Sequence, residues 1–483
     1  MREDLIGELR AIVGARGVIA DATRLSAYES DGLALLSEQA DLVVLPRDTD
    51  EAARVVRALH RAQVPVVARG AGTGLAGGAR PVAGGVVIST ARMRDLLELD
   101  PVDRFARVQA GVVNVDLDRA AAEHGLRYAP DPSSQAACTL GGNVANNSGG
   151  PHCFKHGATA RHVLGLVAVL PDGEVLDLSE PTLEPDAEAT GGLDLAGYLV
   201  GSEGTLGLVT EVTLRLVPRP EVVETLLAVF PTLDGACDSV SEMIAEHLEP
   251  SAIEILDRLT IEAVEASVFA AGYPTTAEAV LLLDLEGGRA LVEDLSRQIE
   301  PIVARHGGFD LRRARSDAER AALWAGRKGA FGAMGRVAPD LYVADAVVPR
   351  TKLREVVAHT VEVCRELNLR LATVFHAGDG NLHPNICYDR RDADDVRRVL
   401  EAGDRILEKC IAVGGSLTGE HGVGLEKRDH LCQAFDQADL DAMGAVRRAF
   451  DPEGRWNPGK TLPVRACLEL HAARPLRAGA APR

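Results

Sequence analysis

Apolar positions recur along the chain with two periods, and the switches between them mark the elements. Residues 1–40 read as a helical lead-in with turns. Asp41 to Pro46, DLVVLP, reads as a strand. Over about 49–63, Val55, Val56 and Leu59 share one helical face, and Thr49 or Asp50 stands where an N-cap belongs. Val64, Val66 and Val67 start the next strand, and 86–90 and 107–110 give two more. Asn114 is placed to cap a helix that Gly125 ends. Runs 163–170 and 174–178 flank Asp172-Gly173, a hairpin signal, and 209–216 alternates like a half-buried strand.

Pro218, Arg219 and Pro220 interrupt this pattern. Beyond them strands are expected at 224–230, 279–285, 341–348, 370–377 and 381–388, and helices at 234–247, 289–305, 317–333, 352–367 and 392–412. A last helix is expected at 438–450. The pattern divides the chain into a first domain at 1–218 (core about 38–218), a second α+β domain at 219–425 and a C-terminal helical segment at 426–465. Residues 466–483, rich in Ala, Arg and Pro, read as a fraying tail.

Composition narrows the function. The 483 residues carry a formal net charge of −19, which disfavours nucleic acid as a partner. Eight scattered cysteines without a C-x-x-C pair fit reduced thiols in the cytosol and exclude a cysteine-held iron–sulfur cluster. The opening MREDLIGELR lacks the apolar core of a signal peptide, and no run approaches the ~20 apolar residues of a membrane span.

Glycine is abundant and concentrated in loops. Val64 to Gly78, VPVVARGAGTGLAGG, runs from a strand into a loop where backbone N–H groups can converge on an anion. Arg69 adds a positive charge suited to phosphate. Gly72, Gly74 and Gly77 spell G-x-G-x-x-G, but another strand follows where a nicotinamide site needs a helix. Residues 130–150, PDPSSQAACTLGGNVANNSGG, show little helical period and read as a second wall of a ligand cleft. GSEGTLG at 201–207 is a third glycine loop.

The chemistry concentrates at 374–385, VFHAGDGNLHPN. If Asp379-Gly380 is a two-residue turn, His376 and His383 stand directly opposite, ~4.5–5.5 Å apart at Cβ, close enough to share a metal. Asn385 follows on the same face. Glu420 and His421, set among glycines, offer a third ligand and a general base. Arg327, on the helix expected at 317–333, could hold a carboxylate. Gly454 to Thr461 matches the phosphate-loop pattern G-x-x-x-x-G-K-[ST] by letters alone; it has no strand before it and no helix after it, so an ATPase is rejected.

Seven stretches in order, RGAGTGLAGG, PDPSSQAACTLGGNVANNSGG, GSEGTLG, WAGRKGAF, HAGDGNLHPN, GEHGVG and FDPEGRWNPGK, resemble the FAD-binding subunits of bacterial glycolate oxidases. These are flavoproteins of the vanillyl-alcohol oxidase and p-cresol methylhydroxylase type, similar also to D-lactate and D-2-hydroxyglutarate dehydrogenases. The resemblance implies an α+β fold: an FAD domain of two subdomains, a cap domain with an antiparallel sheet, and a C-terminal segment returning to the FAD domain. It implies that Arg69, Gly70, Ala71, Gly72, Thr73, Gly74 and Leu75 cradle the FAD pyrophosphate. Pro132, Ser133, Gly141, Gly142, Asn143, Asn146, Gly149, Gly204, Leu206, Gly207 and Asn457 then contact the cofactor. It also implies a divalent metal, zinc or manganese, on His376, His383 and Glu420, a base at His421, and Arg327 and Asn385 on substrate or flavin.

The implied reaction is oxidation of glycolate or D-lactate by hydride transfer to flavin. A lysine that some hydroxyglutarate relatives use falls at Val343, which leans away from a long dicarboxylate. A D-2-hydroxyglutarate-type dehydrogenase and an NAD-dependent Rossmann enzyme are the alternatives. The implied partners are a second FAD-type subunit and an iron–sulfur subunit. The implied location is cytoplasmic, peripheral at the inner membrane through those subunits, with no integral membrane segment.

Overall fold

A computed structural model describes residues 3–180 and 193–463; the tail expected at 466–483 lies outside them. The first sheet runs in the order Val18–Ile19, Leu42–Val44, Val86–Ser89, Val66–Arg69, the last three strands being parallel. Helices Glu3–Val13 and Thr49–Arg61 bury their apolar faces on it through Leu5, Leu9, Val55, Val56 and Leu59. The N-cap of the second helix is Asp48, which accepts the Glu51 N–H at 2.8 Å, rather than Thr49 or Asp50. The Thr49 hydroxyl instead reaches Thr210 at 2.9 Å and ties this helix to the second sheet. Val66–Arg69 leads straight into the glycine loop and then to the next strand, with no helix after it.

The second sheet is antiparallel, in the order Leu96–Asp100, Phe105–Gln109, Leu208–Arg215, Val163–Val169, Val175–Leu178. Two expectations fail beside it. Asn114 is the first residue of helix Asn114–Ala122 and does not cap it; its amide donates to Pro130 O at 3.1 Å and Asn143 Oδ1 at 3.0 Å. Residues 130–150 are also not all loop, because Leu140–Asn146 is helical. Seven residues holding two glycines are too short to display a helical period. Asn147, at φ 49°, ends that helix in the left-handed region.

Beyond Pro220 lies a nine-stranded antiparallel sheet. Its path is Asp310–Arg313, Val222–Phe230, Ala279–Gly287, Ala252–Asp257, Arg370–His376, Asn381–Leu382, Ala346–Val347. Pro384–Tyr388 branches from it and pairs with Asp340–Val343. Both faces are covered. Leu226, Ala228 and Phe230 face helices Leu233–Ala245, Arg289–Arg305, Leu353–Glu366 and Ala393–Ala412. Leu227 and Val229 face Arg258–Glu265 and Asp317–Met334. The expected helices here lie within two residues of the observed ones. The strands Ala252–Asp257 and Asp310–Arg313 and the helix Arg258–Glu265 were not expected.

After helix Gln437–Phe450 the chain returns to the first sheet, where Trp456 bridges Val66 in parallel. Among the described residues no helix is long and apolar enough to cross a membrane.

Candidate active site

A cleft of about 500 Å³ separates the first two sheets from the nine-stranded one. One wall is Arg69 to Leu75, with Pro132, Ser133, Gly141, Gly142, Asn143, Asn146, Gly204 and Gly207. The other includes Lys328, Phe331, Val343, His376, His383, Glu420 and His421. Five expected site residues stand behind these walls: Gly149, Leu206, Asn457, Arg327 and Asn385. Gly149 packs on the Glu420 carboxylate, Leu206 is core, and Asn457 Nδ2 donates to Gly204 O at 2.7 Å.

Arg69 also differs from its simplest expectation. Its Nη1 donates to Ser30 O at 2.8 Å and Ala79 O at 3.3 Å, so the guanidinium lies folded under Gly72. Gly72 has φ 74°, and a Cβ there would strike that guanidinium. Arg69 therefore shapes the loop from beneath while leaving its charge near the cleft.

The histidine hairpin forms in another register than expected. His376 pairs with Asn381, and Thr373 with Pro384, a shift of two residues. The backbone N–H groups of Ala377 and Gly378 bond to Ile253 O at 2.9 and 3.3 Å, and the chain turns one residue earlier, at Gly378-Asp379. Gly380 N–H then closes on Ala377 O at 3.2 Å, with Gly380 at φ 71°. An even shift keeps side chains on their original face. The His376 and His383 rings therefore still meet, centroids 5.0 Å apart at 88°.

The strands expected at 341–348 and 381–388 both break, and the breaks face each other. Pairing stops after Val343 and resumes at Ala346; opposite, it stops after Leu382 and resumes at Asn385. Asp345 and His383 occupy the gap, with Oδ1 and Nδ1 3.7 Å apart. Such irregularities re-aim side chains, and here they aim two toward one point.

At that point Glu420 Oε1 lies 3.4 Å from His376 Nε2, 3.3 Å from His383 Nε2 and 3.8 Å from His421 Nε2. The His421 ring stacks on His383 at 4.9 Å. Both His383 nitrogens are buried without a hydrogen-bond partner. Glu254 accepts from His376 Nδ1 at 2.6 Å and from Arg327 Nε at 2.5 Å. Burial opposes charge on His376, but Glu254 and then Glu420 outweigh it and push the imidazole up to about 10. Burial draws His421 down to about 4, with Asp345 only partly offsetting it, so its ring is neutral at pH 7. Arg327 is fully buried, and its Nη1 and Nη2 have no partner. Asn385 Nδ2 donates to His383 O at 2.8 Å.

Three supporting residues escaped the reading of the sequence. Asp345 accepts from the N–H groups of Gly419, Glu420 and His421 at 3.0, 3.3 and 3.2 Å, from the Thr418 hydroxyl at 2.6 Å, and from Lys427 Nζ at 3.0 Å. Burial works against its charge, yet Lys427 and the two histidines hold its carboxyl well below the usual range. Glu254 and Asp345 had a signal: each is a single acid inside an apolar strand segment, AIEIL and YVADAVV. Lys427 had none. Replacing Asp345 by Ala leaves the Lys427 ammonium buried with Glu426 3.8 Å away. Urea unfolding of Asp345→Ala is expected to show a loss of about 3 kcal/mol. A parent-like midpoint would mean that Lys427 does not depend on this carboxylate.

A glycine-lined nucleotide cleft facing a buried histidine–carboxylate cluster defines the class: a two-part α+β oxidoreductase that presents substrate to a bound cofactor. Residues 40–179 match the family described as FAD binding domain, and residues 219–461 that described as FAD linked oxidases, C-terminal domain. The chain is 43% identical over 472 residues to the glycolate oxidase subunit GlcD of Escherichia coli (strain K12), covering 98% of this chain and 93% of that protein. It is 32% identical to a D-lactate dehydrogenase of Anaerostipes hadrus, covering 95% and 97%. The crystal structure of p-cresol methylhydroxylase with substrate bound shares the fold, with a TM-score of 0.76 at 15% identity over 95% of this chain and 96% of that one. The chain belongs to the FAD-linked oxidases, and its cofactor is FAD.

Proposed function

We propose that the chain oxidises a small 2-hydroxy acid, glycolate or D-lactate, to the 2-oxo acid. The observation that carries this is the cluster of His376, His383, Glu420 and His421 facing the FAD wall across the cleft. Residues 1–218 carry the cofactor, 219–425 the substrate side, and 426–465 closes on the cofactor domain. FAD, bound along the three glycine-rich stretches, supplies the hydride acceptor.

The donor set fits a divalent cation. Ligands at ~2.0–2.1 Å in a tetrahedral array stand roughly 3.3–3.4 Å from one another, which supports His376 Nε2, His383 Nε2 and Glu420 Oε1 as the set. His383, buried with both nitrogens unpartnered, is a cost without such an ion. Asp345 forms a second candidate group with His383 and His421, but its oxygens are already engaged by three N–H groups, a hydroxyl and Lys427. Zinc or manganese, held there, would polarise the α-hydroxyl.

The chain's own groups do the rest. His421 takes the hydroxyl proton on its neutral imidazole as hydride leaves Cα. Glu254 orients His376, Asn385 anchors the His383 backbone, and Asp345 fixes the backbone of residues 419–421. Arg327, expected on substrate, stands behind the wall and donates to Glu254 Oε2 at 2.5 Å, so it supports His376 through that carboxylate. Val343 offers no charge for a second carboxylate. Lys328 does line the cleft, held by Asp131 Oδ2 at 3.1 Å; this favours D-2-hydroxyglutarate as the second reading.

The cysteines form no cluster motif, so electrons leave the flavin to an acceptor outside this chain. The Escherichia coli relative is by name a subunit, which supports an assembly with other subunits; a second FAD-type subunit and an iron–sulfur subunit, at the cytoplasmic face of the inner membrane, are the partners we propose. Anaerobic bleaching of the flavin against glycolate, D-lactate, L-lactate and D-2-hydroxyglutarate tests the assignment. Fast bleaching by glycolate or D-lactate is expected. Bleaching by D-2-hydroxyglutarate alone would transfer the assignment to the second reading, and bleaching by none would end both.

A further inference from the structure

The letters G-x-x-x-x-G-K-T at 454–461 bind no phosphate in the manner their pattern suggests, yet their lysine is among the most buried in the molecule. Lys460 is 1% exposed. Its Nζ donates to Gly78 O and Arg80 O, both at 2.7 Å, and faces Asn457 Oδ1 at 3.4 Å. Three acceptors around one amine match the three donors of an ammonium.

What Lys460 holds is the closing end of the glycine loop. Gly78 and Ala79 line the FAD cleft, but among the described residues no strand pairs with this part of the chain. Its backbone groups are held by charged side chains instead. Asp31 Oδ2 accepts from Ala79 N–H at 3.2 Å, Arg69 donates to Ala79 O at 3.3 Å, and Lys460 takes Gly78 O and Arg80 O. The opening end, by contrast, continues from a paired strand.

Lys460 is itself fixed from several sides. Arg447 Nη1 donates to Lys460 O at 2.5 Å, and Arg447 Nη2 to Asn457 O at 2.8 Å. Asn457 N–H reaches Val66 O at 2.7 Å, and Trp456 Nε1 reaches Gly204 O at 2.7 Å. Thr461 N–H reaches Gly424 O at 2.8 Å, beside the His421 loop. Asn457 at φ 43° and Thr461 at φ 69° are both left-handed, a conformation that persists only where neighbours over-determine it.

We propose that Lys460 is a positioning residue for the FAD cleft: it fastens Gly78 and Arg80 so that the glycine loop keeps the curvature that receives the cofactor, and the C-terminal segment thereby acts as a clasp. Lys460 does not line the cleft, so it acts through the loop and not on FAD directly. Removing its side chain leaves the half-buried Gly78 and Arg80 carbonyls without their donor at the loop's unpaired end, while the sheets beneath keep their own hydrogen bonds. Cofactor retention is therefore the property that changes first.

The test uses the FAD-loaded protein and Lys460→Met. Release of FAD on dilution, followed by the gain in flavin fluorescence, is expected to be about 10–100-fold faster in the variant, the effect of leaving two carbonyls without their donor. On one heating ramp read by flavin fluorescence and far-UV circular dichroism, the parent is expected to release flavin as it unfolds, and the variant before it unfolds. Lys460→Arg, which keeps charge and donors, is expected to recover part of the retention. Lys460→Gln is read in the same way if the Met variant does not fold. A parent-like release rate in the variant would overturn the proposal, as would both transitions moving down together, which marks a general stability role. A parent that purifies without FAD would instead contradict the family assignment, independently of Lys460.

Discussion

His421→Ala, still loaded with FAD, is expected to reduce its flavin about 10²–10⁴-fold more slowly than the parent with glycolate or D-lactate, the usual contribution of a positioned general base. The expectation rests on geometry first. His421 lines the cleft and stacks on His383 at 4.9 Å, and its backbone is gripped from both walls. Asp345 accepts its N–H at 3.2 Å from one side, and Asn146 Nδ2 donates to its carbonyl at 3.0 Å from the other. Glu203 adds to that grip by accepting the N–H groups of Val423 and Gly424 at 2.6 and 2.7 Å. Protonation state agrees, because burial keeps the ring neutral and able to accept a proton. Stopped-flow reduction at the parent rate would remove His421 from the base role.

The second large effect concerns the metal. If the parent binds the proposed divalent ion, His383→Ala is expected to purify without it, and chelation of the parent is expected to suppress flavin reduction. His383 is the central donor: its Nε2 lies 3.3 Å from Glu420 Oε1 and its ring meets those of both His376 and His421. Removing it leaves two ligands, too few to hold zinc or manganese against water. Glu254→Gln makes a graded comparison. It keeps His376 in place but weakens the carboxylate that orients its Nδ1, and should lower metal affinity about 10–100-fold. Elemental analysis of the purified proteins reads both. Stoichiometric metal in His383→Ala would refute the site.

How far these residues were legible before the fold follows from the range over which each signal acts. The helices of the second half, such as Arg289–Arg305 and Ala393–Ala412, were readable because each carries a 3.6-residue apolar stripe longer than a dozen residues. Leu140–Asn146 was not, being too short for a period. Ala252–Asp257 hid because a buried acid sits in its centre, and Asp310–Arg313 because an edge strand of mostly polar residues looks like a loop. The FAD wall was legible as glycine loops, yet Gly149, Leu206 and Asn457 support that wall from behind. Which glycine borders a cleft and which borders a carboxylate depends on distant chain.

The sequence by itself determined the local frame. It set the strand-to-glycine-loop run at 64–78 without the helix of a nicotinamide site, and it paired His376 with His383 on one face. That pairing survived an error in the turn, because side chains on a strand alternate with period two and the register moved by two. Only the tertiary structure decided the rest. The neighbouring strand Ala252–Asp257 set the true turn. Facing breaks in two strands aimed Asp345 and His383 together, and Glu254, Arg327 and Lys427 became partners across 73 to 122 residues of chain. Lys460 was brought 382 residues back to the glycine loop. Periodicity and turn chemistry act between near neighbours, whereas a buried charge takes whichever partner the packed core delivers.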